Sequence, residues 1–129
     1  MVREARLKFT RELAGTLTVR SVATDGIRID DRLWSETIAL TPEEVIGGWH
    51  SLPLAELTID HFSELFVRSP ELIIVGSGEK SEFAPRDLMF AFARRGVGLE
   101  VMDTTAAART FNVLAGEGRR VAAVLYPIS

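Results

Sequence analysis

A glycine-rich loop after an apolar run is the first place to look for chemistry in this chain. The run Leu72–Val75 is followed by Gly76-Ser77-Gly78 and then by Glu79-Lys80-Ser81. Flexible backbone amides that follow a strand can cradle an anion such as phosphate. The loop does not match a P-loop, and it does not match a dinucleotide fingerprint because Ser81 stands where the third glycine belongs. The favoured alternative is a structural turn that needs positive φ at glycine.

The densest group of polar residues in the second half surrounds the apolar run Leu99–Met102. Asp103 and Thr104 follow that run directly, at the strand end where open α/β sheets place their ligands. The candidate surface for a ligand or a partner consists of Gly76, Ser77, Gly78, Asp103, Thr104, Arg109, Asn112 and Arg119. Asp103 also fits a helix N-cap, and Arg119 fits a local ion pair with Glu117. Arg109 and Asn112 are expected to point away from the core.

The sequence contains no residue pattern typical of a metal site or of a catalytic nucleophile. His50 and His61, without any Cys, do not form a ligand set with recognisable spacing. There is no Gly-x-Ser-x-Gly elbow, and Ser77 has no His near it in sequence. We therefore expect no catalytic residue, no cofactor and no metal site, and the sequence favours a non-catalytic role.

The elements that must position these residues form a repeating pattern. Predicted strands at Leu72–Val75, Leu99–Met102 and Arg120–Tyr126 are separated by helix-like segments. This order is typical of parallel β-α-β-α-β units, so we predict that the three strands are parallel neighbours in one sheet.

Two helices are predicted between these strands. The first spans Arg86–Arg95, with Leu88, Met89 and Phe92 on its apolar stripe and Gly96 as its left-handed end. Phe90 falls on the opposite side, so either the helix is buried from two directions or Phe90 is an exposed apolar residue of the kind that marks an interface. The second begins after the N-cap Asp103 and ends at Gly116 as its C-cap. Its inward residues are Ala107, Phe111 and Leu114.

The first half predicts an antiparallel meander that extends or covers the sheet. Its three strands are Leu17–Val22, Ile27–Ile29 and Leu33–Leu40, joined at turn signals. Leu54–Leu57 is expected to form one more short strand, and Thr58–Phe66 a short helix.

Composition limits the class of protein. The 129 residues are 47% hydrophobic and 26% charged, with a net charge of −3 and no Cys. These values predict a globular protein without a general nucleic-acid surface and without disulfides. No apolar run approaches the ~20 residues that cross a membrane. We expect a basic N-terminal arm over 1–15, a single α/β domain over 16–129, and a soluble, cytoplasmic protein.

The second half resembles a known family. The motifs that carry the resemblance are Ile74-Val75-Gly76-Ser77-Gly78, Val101-Met102-Asp103-Thr104, Ala107 to Leu114 and Glu117 to Ala123. They are similar to those of a family of small single-domain α/β proteins of unknown function that includes the mitochondrial NADH dehydrogenase (complex I) assembly factor three. The resemblance implies a three-layer α/β fold with a mixed sheet. It supplies no established catalytic residues to carry over, and in the mitochondrial branch it implies a non-catalytic assembly role.

Two functions follow as hypotheses. The first is a non-catalytic, assembly-factor-like domain that binds protein partners such as subunits of respiratory or other membrane complexes, without being an integral membrane protein. The alternative is a protein that binds a small anion or nucleotide, or an enzyme, through the Gly76–Gly78 loop and Asp103. The identity of the partner and the oligomeric state do not follow from the sequence.

Overall fold

The structure is a computed structural model and describes residues 16–129. The basic arm expected over 1–15 lies outside the described residues. The strands are β1 (Val19–Ala23), β2 (Gly26–Ile29), β3 (Arg32–Trp34), β4 (Ile38–Leu40), β5 (Val45–Ile46), β6 (Leu72–Gly76), β7 (Gly98–Met102) and β8 (Val121–Leu125). The helices are α1 (Ser63–Phe66), α2 (Arg86–Arg95) and α3 (Thr104–Gly116), and 3-10 turns span Leu54–Glu56 and Ile59–Phe62.

The main sheet has five strands in the order β5-β4-β8-β6-β7. Strand β6 lies between β7 and β8 and is parallel to both, with Leu72 opposite Gly98 and Val121. Strand β4 pairs antiparallel with β8, so the sheet is mixed. The predicted set of three parallel neighbours and the mixed α/β fold class are therefore confirmed.

The predicted meander needs one correction. Strands β1, β2 and β3 form a separate antiparallel sheet, as expected for a meander. The third predicted strand, Leu33–Leu40, is two strands: β3 stays in the small sheet, whereas β4 joins the main sheet. The reason is burial on both faces, because Ile38, Ala39 and Leu40 are all 0% exposed whereas Leu33 is 38% exposed. A run that is apolar at every position suits the interior of a covered sheet.

The side chains of the main sheet alternate between two apolar cores. On one face, Ile74 packs with Phe111 of α3 and with Ile27 of the small sheet, in what we call the first core. On the other face, Ile73 packs with Phe62 and Phe92, in what we call the second core. Alternation with period 2 places neighbouring residues of one strand in different cores. The sheet is thus the middle of three layers.

Both long helices form where the sequence predicts them. Helix α2 has the predicted bounds and ends at Gly96 with φ of 72°. Helix α3 begins after its N-cap Asp103, but Gly116 is its last helical residue and not its cap. The left-handed residue is Gly118, with φ of 81°, and the N–H of Arg119 donates to the carbonyl of Leu114. This 6→1 bond is the Schellman arrangement, which requires the glycine two residues after the last helical turn.

The middle of the chain also differs from its prediction. Leu54–Glu56 forms a 3-10 turn and not a strand, with the carbonyl of Pro53 accepting from the N–H of Glu56. Strand β5 lies instead at Val45–Ile46, where no regular pattern is visible in the sequence. The predicted short helix after Thr58 is confirmed as a 3-10 turn that runs into α1. Within residues 16–129, no helix has the length and apolar character needed to span a bilayer.

We predict that Phe111→Ala lowers the free energy of unfolding by about 3–5 kcal/mol, because truncation of a fully buried aromatic ring leaves a cavity. The matched control is Val113→Ala on the same helix, where the side chain is 58% exposed and a change within about 0.5 kcal/mol is expected. Urea denaturation of the two variants measures both values. Equal losses at the two positions would contradict the assigned orientation of α3.

Candidate functional site

The hydroxyl of Thr104 joins three segments at the carboxyl ends of the parallel strands. Thr104 is fully buried at the start of α3. Its Oγ1 accepts a hydrogen bond from the N–H of Gly78 at 2.8 Å and donates to the carbonyl of Tyr126 at 2.7 Å. Its own N–H donates to the carbonyl of Gly78 at 2.9 Å. One side chain therefore ties the glycine loop, the helix start and the end of β8 together.

Glycine is needed at two positions of the loop, for a different structural reason at each. A Cβ at Gly76 would lie 2.8 Å from Cα of Thr104 and 3.1 Å from Cβ of Ala107, so only glycine allows α3 to lie this close to β6. Gly78 has φ of 106°, a conformation that favours glycine. The interpretation of the loop as a turn that needs positive φ is confirmed for Gly78.

The backbone amides of this loop are already used within the fold. The N–H of Ser77 donates to the carbonyl of Met102 at 2.8 Å, and the N–H of Gly78 donates to Thr104. The Ser77 hydroxyl lies 2.6 Å from the carbonyl of Lys80, to which it donates. The N–H groups of Ser77 and Gly78 are therefore not available to cradle an anion.

Two polar groups beside Thr104 also have structural partners. The carboxylate of Asp103 accepts from the N–H of Ala106 at 2.9 Å, which confirms the predicted N-cap. The hydroxyl of Tyr126 donates to the carbonyl of Leu52, and burial raises the pKa of Tyr126 to about 12. The phenol therefore stays protonated at neutral pH and acts as a hydrogen-bond donor.

The structure corrects the expected orientation of Asn112. Its side-chain oxygen accepts from the N–H of Val19, and its NH₂ group donates to the carbonyl of Val19, both at 2.9 Å. Asn112 is therefore a structural residue that fastens β1 to α3. The helical pattern alone contains no signal for this contact, because its partner lies 93 residues away in sequence.

Arg119 lies at the other end of the sheet from the glycine loop. The loop follows β6, whereas Arg119 precedes β8, and the two strands are parallel. Five residues of strand separate the two ends by roughly 16 Å. Arg119 donates to the carboxylate of Glu71 at 3.2 Å, and this hydrogen bond lowers the pKa of Glu71. The expected pair with Glu117 is thus replaced by one with Glu71.

The eight candidate residues consequently do not form a single surface. Gly76, Gly78 and Thr104 are buried, and Arg109 is exposed on the outer side of α3. A role of these residues in binding stays a prediction, and Arg109 and Arg119 are the members with exposed side chains. Among residues 16–129 there is also no group of three or more His, Cys, Asp or Glu residues that could hold a metal ion.

Two clefts of the described part of the chain lie away from the glycine loop. One of about 240 Å³ is lined by Arg68, Arg119 and Arg120 near the start of β8. The other, of about 320 Å³, lies between the segment 55–59 and α2. Neither is lined by Asp103 or by a residue of the loop.

Exposed apolar side chains cluster in sequence around the start of α2. Phe90 is 55% exposed, so of the two alternatives for this residue the exposed one is correct. Met89, predicted in the core stripe, is instead 52% exposed, and the buried residues of the helix are Leu88 and Phe92. Phe83 is 98% exposed in the preceding loop, and its only sequence signal is an aromatic residue in a polar segment. We call Phe83, Met89 and Phe90 the α2 apolar patch.

We predict that Thr104→Val lowers the free energy of unfolding by about 2–4 kcal/mol, because the N–H of Gly78 and the carbonyl of Tyr126 lose their shared partner. Thr105→Val, one residue further and partly exposed, is the control and should change stability by about 0.5 kcal/mol or less. Chemical denaturation compares the two. A loss at Thr104 no larger than at Thr105 would contradict the role assigned to the hydroxyl.

We further predict that Asn112→Ala costs about 1–3 kcal/mol, because both main-chain groups of Val19 lose their partner. Arg109→Ala, at an exposed position on the same helix, should stay within about 0.5 kcal/mol of the wild type. Denaturation gives the stabilities, and hydrogen exchange of the Val19 amide should accelerate in the Asn112 variant alone. Unchanged exchange would refute the contact.

Comparison with known proteins identifies similar chains. Residues 19–126 match the family described as protein of unknown function (DUF498/DUF598). The chain is 33% identical over 119 residues to the human NADH dehydrogenase [ubiquinone] 1 alpha subcomplex assembly factor 3. The matched region covers 91% of this chain but 64% of that relative, so the chain spans under two thirds of its length.

Solved structures share the fold. A Xanthomonas campestris protein has a TM-score of 0.79 at 34% identity, covering 88% of this chain and 86% of the other. A Bordetella pertussis protein described as a Mth938-like domain has a TM-score of 0.74 at 28% identity, covering 88% and 87%. The resemblance stated from the sequence motifs is confirmed, and the chain belongs to the DUF498/DUF598 family of proteins of unknown function.

Proposed function

We propose that the chain is a non-catalytic protein-binding domain that assists the assembly of a membrane-bound respiratory complex. The human relative supports this proposal through its name, as an assembly factor of NADH dehydrogenase. The proposal extends that role to a chain that matches only part of the relative's length. A cytoplasmic location and partners among membrane-complex subunits belong to the same proposal.

The α2 apolar patch is the observation that carries the proposal. Phe83 is 98% exposed, and Phe90 and Met89 are each more than half exposed. Burial of apolar surface stabilises by roughly 25 cal/mol per Å², and aromatic residues are enriched at the energetic centres of interfaces. Exposed charged residues, including Glu82, Arg86 and Arg94, surround the patch in sequence. An apolar centre with a polar rim is the composition of a protein interface.

The geometry at the strand ends supports binding over catalysis. The buried hydroxyl of Thr104 occupies the space beside Gly76, and the amides of Ser77 and Gly78 donate within the fold. Catalysis needs a concave site with convergent polar groups. At this end of the sheet the polar groups bond to one another: Thr104 bonds with Gly78 and Tyr126, and Ser77 bonds with Met102.

We predict that deletion of the gene in its own organism lowers the amount of assembled NADH dehydrogenase, measured by native gel electrophoresis and staining for NADH oxidation. Reintroduced wild-type protein should restore the complex. The double variant Phe83→Ser with Phe90→Ser should fail to restore it while folding normally, because both side chains are exposed and contribute little to the core.

The matched control is Val67→Ser, which also removes an exposed apolar side chain, at 80% exposure, but outside the α2 apolar patch. This variant should restore the complex fully. Normal amounts of NADH dehydrogenase in the deletion strain would overturn the assembly role. Restoration by the double variant would instead show that the patch is not the binding surface.

A further inference from the structure

Strand β7 forms an open edge of the main sheet. The order β5-β4-β8-β6-β7 leaves its outer side without a neighbouring strand among residues 16–129. The opposite edge is the two-residue strand β5, whereas β7 has five residues. An exposed edge strand carries a row of backbone donors and acceptors that can pair with another chain.

Two hydrogen bonds at the ends of β7 show which residues direct their backbone N–H and C=O groups outward. The N–H of Gly98 donates to the carbonyl of Glu71, and the carbonyl of Met102 accepts from the N–H of Ser77. Both residues therefore direct their backbone groups toward β6. The direction of the backbone groups alternates along a strand in a parallel pair. The N–H and C=O groups of Glu100 therefore also point toward β6, whereas those of Leu99 and Val101 point to the open side.

The side chains of β7 differ between the two faces of the sheet. Leu99 and Val101 pack against the second core, under α2. Glu100 is exposed, and its neighbour Met102 on the same face packs against the first core. A strand added at this edge would meet apolar side chains on one face and a single carboxylate on the other.

Helix α2 extends the apolar side of this edge. It packs on β7 and on the turn Ile59–Phe62. Its residues Asp87 and Ala91 line the cleft shared with the segment 55–59. Met89, two positions after Asp87, lies about 200° around the helix and thus on the flank opposite that cleft. Its half-exposed side chain is available to an added strand.

Pairing of β7 with a second copy is disfavoured in the symmetric antiparallel registers centred on its three middle residues. A pair centred on Glu100 places two carboxylates opposite each other, which destabilises a cross-strand pair. A pair centred on Leu99 sets Val101 against Val97, whose N–H already donates to the carbonyl of Phe92. A pair centred on Val101 sets Leu99 against Asp103, which caps α3.

We infer that β7 accepts an extended segment of another protein as an added antiparallel strand, with a Lys or Arg opposite Glu100 between two apolar residues. Antiparallel pairing places Glu100 in a non-hydrogen-bonded pair, where opposing side chains are closest. The basic residue pairs with the carboxylate, and the apolar residues lie beside Leu99, Val101 and Met89. This surface and its occupant go beyond the proposed assembly role, because they require no particular complex.

The test uses the full chain and two capped peptides, Thr-Val-Lys-Val-Thr and Thr-Val-Glu-Val-Thr. NMR titration gives their relative affinities, and hydrogen exchange reports on individual amides. The Lys peptide should slow exchange at Leu99 and Val101 and bind roughly 5-fold more tightly than the Glu peptide, because opposite charges stabilise a cross-strand pair and like charges destabilise it. In the variant Glu100→Lys the preference should reverse.

Glu79→Lys is the matched control, since it changes an exposed carboxylate outside β7 and should keep the preference for the Lys peptide. The inference is overturned by failure of the peptides to slow exchange at Leu99 and Val101, or by an unchanged preference in Glu100→Lys. Protection that rises with chain concentration without peptide would assign the edge to a second copy. Protection that disappears when residues 1–15 are removed would assign it to the chain's own first segment. None of these results bears on the assembly role, which the gene deletion tests separately.

Discussion

The Thr104 side chain makes the hydrogen bonds that join the glycine loop, the start of α3 and the end of β8. A hydroxyl can accept and donate at once, and Thr104 does both with buried or half-buried backbone groups of the glycine loop and of the residue after β8. Its position is possible only because Gly76 has no Cβ, which would otherwise lie 2.8 Å from Cα of Thr104. The start of α3, the end of β6 and the end of β8 are therefore set by one contact. Asp103, one residue earlier, caps the same helix and holds Thr104 in place.

This contact also explains why the most suggestive sequence of the chain has a structural role. A glycine loop at the carboxyl end of a parallel strand is the usual place for a phosphate or nucleotide. Here the N–H groups of Ser77 and Gly78 donate to Met102 and Thr104, so these two amides are satisfied within the fold. The groups that the fold leaves without a partner among residues 16–129 are not those of an anion site. They are the exposed apolar side chains around α2 and the outward backbone groups of β7, and both suit proteins rather than small molecules.

The two faces of the main sheet are covered by different elements. The face toward α3 is closed by the small sheet, which Asn112 fastens through both main-chain groups of Val19. The other face is covered by short elements and by α2, whose buried contribution consists of Leu88 and Phe92. Helix α2, which carries Met89 and Phe90 of the α2 apolar patch, also packs on the open-edge strand β7. A partner that contacted both would bury apolar side chains and pair with backbone groups in one interface.

Elements with local signals can be predicted from the amino-acid sequence. The parallel unit, the bounds of α2, the cap at Asp103 and the position of Phe90 opposite the core stripe follow from apolar periodicity and end signals within one helix or strand. Contacts between distant segments become visible only in the folded chain. Asn112 was expected to face solvent but pairs with Val19, Met89 is exposed instead of buried, and Leu33–Leu40 divides between two sheets. The physical reason is that periodicity specifies which side of an element is apolar, but packing partners far along the chain decide which polar groups are satisfied and which apolar ones are left uncovered.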